Sequence, residues 1–167
     1  MCSLPRETRK EEALKKSYWF LILAVFFVDR LLKIWVVQNL SESQGIPIVP
    51  GLIHLTRVSN TGAAFGLWRD APYALAVFSA LSIVFIIAYL AGRFGPVSHA
   101  PAWALVAGGA MGNLYDRLRF GYVVDYVDLR IWPVFNFADT CISLSIVWIL
   151  FSFLKKPGNG SHVSGPS

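Results

Sequence analysis

Long apolar runs alternating with short polar stretches set the pattern of this chain, and four of the runs have the length of a membrane-crossing helix. About 20 apolar residues match a hydrocarbon core of roughly 30 Å. Residues 71–92 form the cleanest run, 22 residues without a charge. Residues 18–37 are as long but carry Asp29, Arg30 and Lys33 in their second half. Residues 101–118 are the weakest run. Gly108, Gly109 and Gly112 there permit close helix contact, and Asn113, Asp116 and Arg117 lie near its end. Residues 137–154 hold a single charge, Asp139, at their beginning. The pattern predicts an all-α membrane bundle of four transmembrane helices, with both termini on one side. Between the first two runs, IPIVPGLIHLTRVSNTGAAF has short β-like stretches broken by Pro47, Pro50 and Gly51, which predicts a small β-containing subdomain on the membrane surface.

Flanking charges orient this bundle. Arg6, Arg9, Lys10, Lys15 and Lys16 precede the first span, Arg93 follows the second, and Lys155 and Lys156 follow the fourth. The positive-inside rule makes these segments cytoplasmic. The predicted organisation is a cytoplasmic tail over 1–17, a membrane domain over 18–154 and a flexible cytoplasmic tail over 155–167. Segments 38–70 and 119–136 lie outside. A cleaved signal peptide is the alternative for the N-terminus, but no A-x-A-like site follows residues 18–28 and the apolar pattern continues past Lys33.

Composition agrees with the membrane reading: 55% of the 167 residues are hydrophobic and the mean hydropathy is +0.53. The net charge of +5 does not gather into a stripe, so nucleic acid is not an expected partner. Cys2 and Cys141 are placed too differently to pair, and no zinc site is expected.

Polar residues unusual for such a chain converge on the outer side. Asn113, Asp116 and Arg117 stand at i, i+3 and i+4, on one helical face with Gly109. Arg117 suits the holding of a substrate oxygen. Asp116 serves a site or merely pairs with Arg117 or Arg119 to anchor a helix end. Asp29 and Lys33, at i and i+4, read as a pair that neutralises buried charge. NTGAAFG (Asn60 to Gly66), with Gly62 among its small residues, either lines a cleft for an extended peptide or makes a tight turn.

Asp125, in VVDYV, and Asp139, opening a membrane helix in FNFADTCI, are the carboxylates best placed to face each other. Two close carboxylates share a proton, and such a pair hydrolyses peptides without a cofactor. Asp128, beside Arg130 in a solvated loop position, is less favoured. For Asp139 the alternative is a carboxylate stabilised at a helix N-terminus. Cys141 has no histidine near it in sequence, and His54 is the one histidine expected outside. Magnesium or calcium held by Asn113, Asp116, Asp125, Asp128, Asn136 and Asp139 stays open as a competing reading. So does a proton or ion pathway through Asp29, Asp116 and Asp139, although the second span and the inner halves of the third and fourth carry no charge. A structural membrane subunit would leave the paired carboxylates unexplained. Residues 38–50 are the expected mobile outer loop.

The series NTGAAF, GGAMGNLYDR, VVDYVD and FNFADT, interleaved with the four spans over roughly 18–154, closely resembles the bacterial lipoprotein signal peptidases, or signal peptidase II. The resemblance implies a multi-pass aspartic endopeptidase of the bacterial inner or cell membrane, working near its outer face. Such enzymes remove signal peptides from prolipoproteins immediately before a diacylglyceryl-modified cysteine. It implies a catalytic dyad of Asp125 and Asp139, roles near substrate for Asn60, Asn113, Arg117 and Asn136, and support from Asp116. No cofactor and no metal are expected. The expected partners are lipidated prolipoproteins, membrane lipid and peptide antibiotics of the globomycin kind, and the expected state is a monomer. One departure is visible: the first helix reads DRLLK, with Leu32 where relatives often carry a hydroxyl.

Overall fold

The computed structural model describes residues 6–42, 45–62 and 72–155. In chain order these form α1 (Arg6–Asn39), β1 (Gly45–Val49), β2 (Ile53–Asn60), α2 (Pro72–Leu90), α3 (Ala100–Phe120), β3 (Val123–Asp128) and α4 (Phe137–Leu154). The helices match the four apolar runs within a few residues at each end, except that α1 starts at Arg6 and not near Tyr18. RETRKEEALKK is built of strong helix formers, so the helix extends through the segment read as a tail.

The burial pattern inverts that of a water-soluble protein. Phe20, Phe27 and Leu31 of α1, Phe78 and Leu81 of α2, and Leu144, Val147 and Leu150 of α4 are exposed, whereas Asp29, Lys33, Asp116 and Asp125 are buried. Apolar side chains outside and ions within suit a hydrocarbon solvent and not water. Residues 73–90 of α2 and 137–154 of α4 are long and apolar enough to cross a membrane by length and composition. α1 and α3 carry the buried Asp29, Arg30, Lys33 and Asp116 between them.

α3 is the central helix, packed against α1, α2 and α4, and its glycines allow this. A Cβ on Gly108 would lie 2.7 Å from the Ile22 carbonyl of α1, and one on Gly109 would lie 2.7 Å from the Ala138 carbonyl of α4. At Gly112 a Cβ would collide with the Asp29 carboxylate. Toward one end of the bundle Ile22, Ile86, Leu90, Ala104 and Ala107 form an apolar core.

At the other end stands the expected β subdomain, a three-stranded antiparallel sheet in the order β1-β2-β3. Val58 of β2 lies opposite Asp125 of β3, and Asn60 opposite Val123. Val36 and Leu40 at the end of α1 pack with Val124 and Tyr126, fastening the sheet to the bundle. After β3 the chain folds back, and Val127 and Phe135 exchange backbone hydrogen bonds of 2.8 and 3.1 Å. This return places Asn136, the cap of α4, beside the middle of β3. In the segment expected to be mobile, 45–49 form β1, Glu42 bridges to Arg57, and 43–44 lie outside the described residues.

Candidate active site

Four elements deliver the site: the end of β2 brings Asn60, β3 brings Asp125, the start of α4 brings Asp139, and α3 brings Asn113 and Arg117. Asn136 joins them. Its side-chain oxygen accepts the Asp139 backbone N–H at 3.0 Å, while Asp139 Oδ2 accepts the Asn136 backbone N–H at 3.2 Å, a reciprocal capping box. The helix-terminal role considered for Asp139 is therefore real. It occupies one oxygen only, because Oδ1 accepts from Asn113 Nδ2 at 2.8 Å.

Asp125 has two amide donors. Asn136 Nδ2 reaches its Oδ1 at 2.7 Å, and Asn60 Nδ2 reaches its Oδ2 at 2.8 Å. Neither amide is free to turn. Asn60 Oδ1 accepts the Gly62 N–H at 3.0 Å, and Asn136 Oδ1 is held by the Asp139 N–H, so each presents its NH2 to Asp125. Asn136 thus touches both carboxylates, one through its side chain and one through its backbone.

Asp125 is 2% exposed. Burial, and then the neighbouring Asp139 charge, push its carboxyl up from 3.8 to about 7, against the two amide donors that pull it down. A carboxyl near 7 exists in both protonation states at neutral pH, which is what general acid–base chemistry needs.

Both aspartates open onto a cleft of about 940 Å³, also lined by Asn60, Gly62, Asn113 and Arg117. Its remaining wall is largely apolar, with Val58, Trp132, Pro133, Phe135, Ile142 and Leu144. Such a volume and lining suit an extended apolar segment held by a few polar groups. Arg117 Nη2 lies 3.4 Å from the Gly62 carbonyl and Nη1 lies 3.5 Å from that of Asn113. These long contacts tie its guanidinium to the rim.

Behind the cleft lies an ionic cluster. Lys33 Nζ contacts Asp29 Oδ2 at 3.0 Å, Asp116 Oδ2 at 2.8 Å and Asn113 Oδ1 at 2.8 Å. Arg30 contacts Asp116 Oδ1 at 2.6 Å and Asp29 Oδ2 at 3.3 Å. The cluster also fastens backbone: Asp116 Oδ2 accepts the Val124 N–H at 3.2 Å, and Asp29 Oδ1 accepts the Ala138 N–H at 3.3 Å. Thus Asp116 pairs with Arg30 and Lys33 of α1, correcting the alternative that gave it Arg117 or Arg119. Three adjacent polar residues on one face of α3 have three different tasks: Asp116 faces α1, Arg117 faces the cleft, and Asn113 touches both.

Most expected site residues therefore assemble. Asn60, Gly62, Asn113, Arg117, Asp125 and Asp139 line the cleft, while Asn136 and Asp116 are fully buried behind it. Within NTGAAFG, residues 63–66 lie outside the described residues. Asp128 does not line the cleft; its Oδ1 accepts the Arg130 N–H at 2.7 Å, and Arg130 also donates to His54 Nδ1 at 3.1 Å. It is half-buried at the end of β3, not in a solvated loop, because Arg130 folds over it. Leu32 is exposed, so the DRLLK departure falls on the outer surface of α1. Sequence reading missed Arg30 and the contact of Lys33 with Asn113. The latter spans 80 positions and leaves no local signal.

The fold is that of bacterial membrane enzymes. Two solved structures so described match it with TM-scores of 0.79 and 0.72 at 21% and 22% identity, covering 90% and 84% of this chain and 95% and 94% of theirs. Sequence narrows this class. The family described as Signal peptidase (SPase) II matches residues 21–155, and the chain belongs to that family, whose members cleave the signal peptides of prolipoproteins. It is 39% identical over 132 residues to a lipoprotein signal peptidase of Halothermothrix orenii, spanning 79% of this chain and 91% of that protein. It is 43% identical over 152 residues to one from a Nostoc species, spanning 88% and 95%.

Proposed function

We propose that the protein is an aspartic endopeptidase that removes the signal peptide of prolipoproteins immediately before the diacylglyceryl-modified cysteine, with Asp125 and Asp139 as its dyad. The observation that carries this reading is the hold of Asn136 on both carboxylates at the wall of a largely apolar cleft. In the resting enzyme the shared proton sits on Asp125, the buried member, and Asp139 is the base. Asp139 takes a proton from water as the water oxygen attacks the scissile carbonyl carbon. Asp125 gives its proton to the carbonyl oxygen. On collapse Asp139 gives its new proton to the amine nitrogen as the C–N bond breaks, and a hydroxyl of the tetrahedral intermediate returns its proton to Asp125, which leaves a carboxylic acid, an amine and the resting dyad. Asn60, Asn113 and Asn136 hold the carboxylates, and Arg117 with Gly62 binds the substrate backbone.

Four helices span the bilayer of the bacterial inner or cell membrane in this reading, with both termini cytoplasmic and the sheet outside. Residues 18–154 form the membrane domain between tails 1–17 and 155–167. The exposed apolar faces of α1, α2 and α4 meet lipid, and a lipidated cysteine in the outer leaflet lies level with the cleft. The enzyme acts as a monomer without a cofactor, and a globomycin-like peptide fills the cleft in place of substrate.

The test uses purified protein in detergent with a lipidated prolipoprotein. Asp125→Asn and Asp139→Asn should each lower turnover by at least about 10³-fold, the upper range for loss of acid–base catalysis, while the variants still bind a peptide inhibitor. Asp128→Asn should keep substantial activity. Near-normal cleavage by either dyad variant removes the assignment.

A further inference from the structure

We propose that Lys33 is a positioning residue for the two carboxylates, holding the Asn113 amide in the orientation that donates to Asp139. The inference rests on the dyad reading above. An asparagine amide fits its space either way round, and its neighbours decide which end is oxygen. Lys33 carries only donors and lies 2.8 Å from Asn113 Oδ1; Asn136 Nδ2 donates to the same atom at 3.1 Å. Two donors on one side turn the NH2 of Asn113 toward Asp139 Oδ1, 2.8 Å away. From Asn136 the line of fixed donors continues to Asp125. It thus runs from α1 to both carboxylates, without Lys33 lining the cleft.

Charge neutralisation alone does not account for this geometry. Arg30 already contacts both Asp29 and Asp116. The ammonium of Lys33 has three N–H groups and three acceptors, and the third acceptor, Asn113, is neutral. A hydrogen bond to a neutral amide adds nothing to charge balance but decides which way that amide points. The charged groups facing this line are Asp29 and Arg30 on α1, Asp116 and Arg117 on α3, Asp125 on β3 and Asp139 on α4. The Lys33 charge also acts through space on Asp125, favouring its ionised form.

The test compares full-length enzymes in detergent with a lipidated prolipoprotein as substrate. Lys33→Met alone leaves an unbalanced buried carboxylate and is expected to fold poorly. Lys33→Met combined with Asp29→Asn keeps the cluster neutral through Arg30 and Asp116, and its reference is Asp29→Asn combined with Arg30→Met, which is equally neutral but keeps Lys33 beside Asp116 and Asn113. The double variant without Lys33 should melt near the reference and show a similar KM. Its kcat should be roughly 10²-fold lower, the size expected for a slight misplacement of reacting groups. The alkaline limb of its kcat–pH profile should move to higher pH, because Asp125 loses a cation that favours ionisation. A folded double variant without Lys33 whose kcat or alkaline limb matches the reference overturns the proposal. If Asp125→Asn and Asp139→Asn are then inactive, the dyad stands and only the Lys33 role falls; if they are active, the dyad reading itself fails.

Discussion

Asp125 has a polar environment that pulls in two directions. Its two amide donors favour the carboxylate, while burial and Asp139 favour the acid, and the balance lies near 7. The sign follows directly: below about 7 Asp125 carries the proton that the proposed mechanism donates, and above it the proton is lost. Activity of the free enzyme should therefore fall on the alkaline side as pH rises through this range. The profile should be bell-shaped, with both limbs belonging to the coupled pair and not to one residue. A kcat/KM profile that stays flat from mildly acidic to mildly alkaline pH would contradict this. Arg117 allows a second test at this scale. Its guanidinium is planar and rests against two rim carbonyls, so Arg117→Lys keeps the charge but loses the fork. KM should rise roughly five- to tenfold, about 1 kcal/mol, with kcat less affected. Unchanged kinetics would make Arg117 an interfacial anchor only.

Among the elements, α3 decides whether the site can form. It approaches α1 and α4 closely enough for Lys33 to reach Asn113 and for Asn113 to reach Asp139, and small residues make that approach possible. Gly112 is the tightest point, because the Asp29 carboxylate occupies the place of its missing Cβ. Gly112→Ala must push α1 away or displace Asp29 from Lys33. Overpacking of this kind costs about 1–3 kcal/mol, so a lower melting temperature in detergent and a loss of turnover are expected together. Gly121 is a contrast: it caps α3 at φ 79 with nothing within 4 Å of a Cβ. Its replacement by Ala strains the backbone without entering the cluster. If Gly112→Ala melts with the parent, the helix contact is looser than the distances imply.

At the scale of the whole molecule, apolar helices surround a polar interior that opens beside a small sheet. The sheet and α4 meet at Asn136, so the two candidate aspartates belong to separate elements but share one support. The donors around them bear on the metal question. Asn60, Asn113 and Asn136 each direct NH2, not oxygen, at a carboxylate, and a cation would meet these hydrogens. Proteolysis should therefore survive prolonged exposure to a chelator. Loss of cleavage on chelation, restored by one divalent ion, would return magnesium or calcium to the mechanism.

Much of this was legible in the sequence because hydrophobic periodicity and local chemistry are local signals. Apolar runs placed the helices within a few residues apart from the start of α1, proline and glycine punctuation marked the first two strands, and VVDYVD and FNFADT carried the candidate aspartates. The i, i+4 spacing also brought Lys33 to Asp29. What spacing along one helix could not show is where a side chain goes once a second helix arrives. Asp116 pairs with Arg30 and Lys33, not with its own neighbours, because glycines let α1 come close and a buried carboxylate needs a counter-ion within contact distance. The direction of each amide was decided in the same way. Asn60, Asn113 and Asn136 are symmetric in shape, and only the donors packed against them from Gly62, Lys33 and the start of α4 determine which end faces the carboxylates.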